Sequence, residues 1–223
     1  MQTRTLGIES IRLARYARLQ EPHIAPLSAY AQRLRKTPDP YQPYWAPSFD
    51  PDSGGVAAPV LLLLESPGPK VSQTGFVSLD NPDGTAENLS MLLRLAGLSR
   101  SKVLLWNSFP WQLSAGGVVT PTEPHLREAV PATLELLSLL PELRAVVLIG
   151  SRAQRGWQHV QPLLPAPLLT LDCPHPSPQN FAARPRQAVL ALTVLAEAAS
   201  LARTQPQNTI IKKRPLRTLI KKV

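Results

Sequence analysis

Val60-Leu61-Leu62-Leu63-Leu64-Glu65-Ser66-Pro67-Gly68 carries five apolar residues straight into a polar turn marked by proline and glycine. A strand with one wet face would alternate, so this uninterrupted run reads as a strand buried on both faces. The same signal returns at Lys102 to Trp106, at Ala145 to Ile149, and in the shorter Leu168 to Leu171 bounded by Pro167 and Pro174. Helical spacing fills the gaps. Ala86 to Ala96 carries Leu89, Leu92, Leu93 and Leu95 on one stripe, Glu128 to Leu140 is helical, and Gln187 to Leu201 offers Val189, Leu190, Leu192, Leu195 and Ala198 for packing. Strands alternating with helices predict an α/β fold, a three-layer α/β/α sandwich around a mainly parallel four-stranded sheet.

Upstream, Ile8 to Leu19 and Ala25 to Leu34 read as two short helices whose arginines form a solvated face or, alternatively, touch phosphate. Thr37 to Pro59 holds Pro38, Pro40, Pro43, Pro47, Pro51 and Gly54-Gly55, the composition of a long loop or arm crossing the surface. At 223 residues the chain suffices for one well-buried core. The expected organisation is a single domain over 1–205, including the N-terminal helices and the arm, followed by a basic tail over 206–223.

The formal charge is +9, from 24 Lys and Arg against 15 Asp and Glu, which favours a polyanionic partner. Lys212, Lys213, Arg214, Arg217, Lys221 and Lys222 lie in the last dozen positions, so most of the excess belongs to the tail. One cysteine, Cys173, forms no intramolecular disulfide and cannot alone hold a structural zinc or an iron–sulfur cluster. No apolar stretch resembles a secretion signal or reaches the roughly 20 residues that span a bilayer. The expectation is a soluble, cytoplasmic protein associated with a polyanion rather than with membrane.

In a doubly covered parallel sheet, ligands bind outside the carboxyl ends of the strands. That rule selects Glu65-Ser66-Pro67-Gly68-Pro69-Lys70, Asn107 after the second strand, and His175 in the proline-stiffened Cys173-Pro174-His175-Pro176-Ser177-Pro178-Gln179-Asn180. Gly68 lets backbone approach a ligand closely, yet a single glycine makes neither a dinucleotide fingerprint nor a phosphate-cradling loop. His23, His125 and His159 read as surface or capping residues, and no His, Asp or Glu set has metal-ligand spacing.

Leu64-Glu65-Ser66-Pro67-Gly68, Gly75-Phe76-Val77, Leu105-Trp106-Asn107 and His175-Pro176-Ser177-Pro178 resemble, in order and placement, the active-site blocks of the uracil-DNA glycosylase superfamily. The resemblance spans roughly Val60 to Leu192. It implies an enzyme that flips a damaged base from DNA and hydrolyses its N-glycosidic bond. In several branches the third member of the first block is an Asp or Asn that handles water; here it is Ser66, a poor base at neutral pH. Glu65 matches the glutamate of branches reading Gly-Glu-Ala-Pro-Gly. Those branches also carry four cysteine ligands for an iron–sulfur cluster, which this chain lacks, so the resemblance is to a divergent, clusterless branch. No metal or cofactor is expected.

The resemblance assigns catalysis to His175, Glu65 and Ser66 and base binding to Asn107, Phe76 and Gly68. DNA contact falls to Ser177, Gln179, Lys70, Arg184 and Arg186, with Gln179 where the superfamily often has an inserting leucine. Each residue type suits its task. An amide pairs with both N3–H and O4 of uracil, a histidine can hydrogen-bond the developing O2 anion, and a planar aromatic can stack on an everted base. Structural alternatives stay open: Asn107 as a turn cap, Phe76 as core filling, His175 as a brace for its own loop. The expected partner is DNA containing uracil, single-stranded or mismatched for preference because flipping then costs less. A monomer is expected, with the tail available to DNA or a repair protein. The alternatives are a noncatalytic damaged-DNA-binding protein and a glycosylase for hypoxanthine or another deaminated base. A serine hydrolase has less support, because Ser66 lacks the Gly-x-Ser-x-Gly elbow.

Overall fold

The computed structural model describes residues 3–113 and 120–203; the basic tail lies outside them. The chain opens with helices α1 (Glu9–Ala17) and α2 (Ala25–Leu34), followed by β1 (Ser48–Phe49), β2 (Val60–Leu64), α3 (Val71–Thr74) and β3 (Phe76–Val77). Then come α4 (Gly84–Leu95), β4 (Val103–Asn107), α5 (Glu123–Glu128), α6 (Val130–Ser138), β5 (Ala145–Ile149), α7 (Ser151–Val160), β6 (Leu169–Cys173), α8 (Pro178–Ala183) and α9 (Arg186–Arg203).

The main sheet has the order β4-β2-β5-β6, and every pairing in it is parallel. Its two central strands, β2 and β5, are buried almost throughout, whereas β6 at the edge has a mostly exposed or half-buried pattern. That explains the shorter apolar run in β6: an edge strand covered on fewer sides can carry Thr170 and Asp172. The strand also runs on to Cys173, two residues past the apolar run, because its backbone keeps pairing with Ile149. Helices flank both faces to give the expected α/β/α sandwich. One group holds α4, α8 and α9, with α9 against β5 and β6; the other holds α2, α5, α6 and α7, with α7 against β5 and β2.

Departures from the periodic pattern have local causes. The single helix expected over Glu128 to Leu140 is two, α5 and α6, meeting at Ala129. Pro131 sits in the first turn of α6, where its missing N–H costs nothing, but it could not continue a helix arriving from α5. Helix α7 escapes a hydropathy reading because its buried stripe is small and mixed: Ala153, Gly156, Trp157 and Val160. The proline-rich arm is an ordered crossing. Within it β1 pairs in parallel with β3, with Ser48 opposite Phe76 and Phe49 opposite Val77. Phe49 then stacks on Trp106 of β4, ring centroids 3.7 Å apart.

The arginines of α1 do not all face solvent. Arg15 is buried and pairs with Asp50, with Asp52 at 2.8 Å and with Asp80 at 3.2 Å. Arg100 approaches the same carboxylates from the other side, pairing with Asp50 and with Asp80 at 2.8 Å. Ser78 also donates to Asp50. Burial alone would raise Asp50, but Arg100 and Arg15 outweigh it and hold the carboxyl below its ordinary value. This network ties α1 to the arm and to the segment after β3. Its guanidiniums are already committed to carboxylates and are not offered to a polyanion.

Candidate active site

The strand order places the topological switch between β2 and β5, whose following connections leave to opposite sides. A cavity of about 520 Å³ opens beside it, at the carboxyl ends of β2 and β4, and is completed by the start of α4 and the His175 loop. The β2–β4 register sets Leu64 beside Asn107, and the β5–β6 register sets Ile149 beside Cys173. Glu65 and Asn107 therefore leave neighbouring strand ends, and His175 reaches the same cavity from the end of β6 at the other edge of the sheet, although 42 and 68 residues separate the three along the chain.

Hydrogen bonds lock these ends together. The N–H of Ser108 donates to the Leu64 carbonyl at 2.8 Å, and the N–H of Phe109 and the Ser108 hydroxyl both donate to the Glu65 carbonyl, at 2.9 and 3.0 Å. The His175 loop is held from two helices: Asn88 of α4 donates to the Pro176 carbonyl at 2.9 Å, and Asn180 of α8 donates to the His175 carbonyl at 2.9 Å. Gly150 completes the support. Its φ of +85° with ψ of 158° is a conformation open essentially to glycine, and a Cβ there would stand 3.1 Å from the Cβ of His175. Gly150→Ala is expected to cost about 1–3 kcal/mol and to displace the imidazole. Thermal denaturation of the variant should show a melting temperature lowered by several degrees.

Of the residues singled out in the sequence, the cavity brings together Glu65, Ser66, Gly68, Lys70, Asn107, His175, Ser177 and Gln179. Asn107 is 3 % exposed, and its Nδ2 is buried without a hydrogen-bond partner. Buried amide donors are seldom left unpaired, and one that lines a cavity is explained by a ligand acceptor. The indole N–H of Trp157 is also unpaired, but that ring packs in the main core, away from the cavity. Gly68 faces open space: a Cβ built there meets nothing within 4 Å.

Burial lowers the His175 pKa, and the Arg152 charge acts in the same direction, while Glu65 and Asp83 pull against them. Because the shift is downward from 6.5, the ring is neutral at pH 7 and presents one N–H donor and one acceptor. Glu65 is engaged by Arg152, whose Nη1 lies 2.7 Å from Oε1 and also donates to Thr120. Arg152 stands in the first turn of α7, so this pair spans the switch between β2 and β5. Ser177 caps α8 by accepting from the Asn180 N–H at 3.3 Å, which leaves its hydroxyl hydrogen available.

Three residues stand outside the cavity lining. Phe76 is fully buried in β3, its ring 4.5 Å from that of Tyr16 on α1, and the neighbouring Val77 and Ser78 line the cavity instead. Arg184 and Arg186 are exposed at the junction of α8 and α9. Trp106, Phe109 and Trp111 are core aromatics. Conversely, Arg152 and Asp83 were not apparent as site residues. Asp83 had one readable signal, an aspartate just before a helical run; Arg152 had none, because its partner is 87 residues away.

The family model described as Uracil DNA glycosylase superfamily matches residues 51–196, the span that holds every element of this cavity. No curated protein matches the chain.

Proposed function

Because the chain belongs to the uracil DNA glycosylase superfamily, we propose that it hydrolyses the N-glycosidic bond of uracil in DNA, releasing the free base and leaving an abasic site. One observation carries the reading: the unpartnered Asn107 amide donor lines the same cavity as a neutral, half-buried His175. In an everted uracil, O4 would take the Asn107 NH2 and N3–H would donate to its carbonyl. Cytosine reverses that pattern.

Breaking the bond from C1′ to N1 leaves positive character on the sugar and negative charge on the base, shared with O2. A hydrogen bond from His175 to O2 strengthens as that charge grows, so it lowers the barrier more than it tightens ground-state binding. A neutral donor suits this role because it need not transfer its proton. Lys70 and Gln179 lie at the exposed side of the cavity, and with Ser177 they suit the flanking phosphates and the gap left in the stack. Arg184 and Arg186 add cationic surface, and the charge of the basic tail adds to salt-dependent association with DNA. Single-stranded and mismatched sites are the preferred substrates because extrusion from them costs less.

Asn107→Asp tests recognition. Loss of the NH2 donor and gain of a negative charge beside a base that must become anionic should slow uracil release by about 10- to 100-fold, the equivalent of about 1–3 kcal/mol for one unsatisfied buried partner. Single-turnover assays on a uracil oligomer check it, and an unchanged rate and base preference would remove Asn107 from recognition. Hypoxanthine shows the same donor and acceptor pair at its N1 and O6, so it belongs in the same assay. A second reading, binding to damaged DNA without hydrolysis, draws on the placement of Ser66 and on the engagement of Glu65 by Arg152.

A further inference from the structure

We infer that Asp83 is the carboxylate that holds the attacking water, since it lines the cavity with Asn107 and His175 and keeps one oxygen free of any partner among the described residues. The inference rests on the glycosylase reading and supplies what that reading lacks, a group to orient water where Ser66 is too weak a base. Asp83 is the N-cap of α4, with Oδ1 accepting from the Ala86 N–H at 2.9 Å. That bond fixes the carboxylate and directs a ligand to Oδ2. Among the described residues no cation pairs with Asp83.

The other carboxylate of the cavity differs in charge balance. Glu65 also has one oxygen without a partner among the described residues, but Arg152 at 2.7 Å offsets its charge. An uncompensated carboxylate does more to stabilise a cationic sugar and to orient the hydrogens of a water than one already paired with a guanidinium. Asp83 is also close enough to act on the titration of His175, which sets it near the same reacting centre.

The step balances with water as the only co-reactant. As the bond from C1′ to N1 breaks, its electron pair leaves with the base, whose O2 is hydrogen-bonded by His175. Water held by Asp83 Oδ2 then bonds to C1′. Its proton passes to the Asp83 carboxylate and on to solvent, and the departing base anion takes a proton from solvent.

Asp83→Asn separates this role from capping, because asparagine caps a helix as well as aspartate does. In the full-length protein, Asp83→Asn should slow single-turnover uracil release about 100-fold or more. Its melting temperature and its Kd for uracil-containing DNA should stay at the wild-type values. Asp83→Ser, another good cap, should match it, whereas Glu65→Gln should slow release less than either. The imidazole C2–H resonance of His175 should titrate at lower pH in Asp83→Asn, which checks that the Asp83 charge faces the same cavity. Wild-type release together with an Asp83→Asn rate within threefold of it would overturn the inference and leave the glycosylase reading standing. No release by the wild type would overturn both.

Discussion

Replacing His175 with alanine is expected to slow base release by about 10²- to 10³-fold, the usual cost of removing one donor to a developing oxyanion, while DNA binding changes little. The split follows from the geometry. His175 lines the cavity as a neutral, half-buried donor, and the bond to O2 proposed for it would gain strength only as the base departs. Lys70 and Gln179, by contrast, lie exposed at the cavity's edge, and the proposed reading gives them association alone. A brace for the loop would behave otherwise: the hydrogen bonds of Asn88 and Asn180 go to the backbone carbonyls of Pro176 and His175, not to the ring. Loss of the ring should therefore leave the loop in place. Single-turnover rates and equilibrium binding to the same uracil oligomer check the prediction, and equal loss in both would assign His175 to the scaffold.

The second large effect is on stability. Arg15→Met removes one of the two guanidiniums that face Asp50 and Asp80 in a buried setting. Breaking a buried ion pair from one side typically costs about 3–5 kcal/mol, because the remaining charge stays in the interior uncompensated. Arg100 still reaches both carboxylates, which puts the expected cost near the lower figure. For a chain of this size that corresponds to a melting temperature lower by roughly 6–12 °C. The loss should also depend on pH. Asp50 has its pKa held below the ordinary value, so the network's contribution is complete above about pH 4 and disappears as pH falls through the depressed pKa. Thermal unfolding of the wild type and Arg15→Met at neutral pH and in acid measures both effects; equal melting temperatures at neutral pH would show that α1 is held by its apolar contacts alone.

The parts legible in the sequence are those written in local pattern. Val60 to Leu64 and Ala145 to Ile149 announce themselves because a strand buried on both faces needs unbroken apolar residues. The carboxyl ends of such strands then point to Glu65, Asn107 and His175 without any distance being known. What stayed hidden depends on partners distant in the chain. Arg15 and Asp50 are separated by 35 residues and Arg152 and Glu65 by 87, so neither pairing leaves a periodic trace. Phe76 shows the limit of residue type as a guide. An aromatic after the first strand reads equally as a stacking platform or as core, and its ring lies against Tyr16 in a helix that precedes the matched span. Two-residue strands such as β1 and β3 are likewise set by a tertiary partner rather than by their own composition.

The most direct test is single-turnover release of free base by the full-length protein from oligomers carrying one uracil, single-stranded and opposite guanine or adenine, with the abasic site detected in the same samples. Release of uracil with formation of an abasic site, faster from single strands and from the mismatch than from the adenine pair, is the predicted result. Tight binding of the uracil oligomers with no free base and no abasic site would contradict hydrolysis and identify a protein that senses damage without cutting.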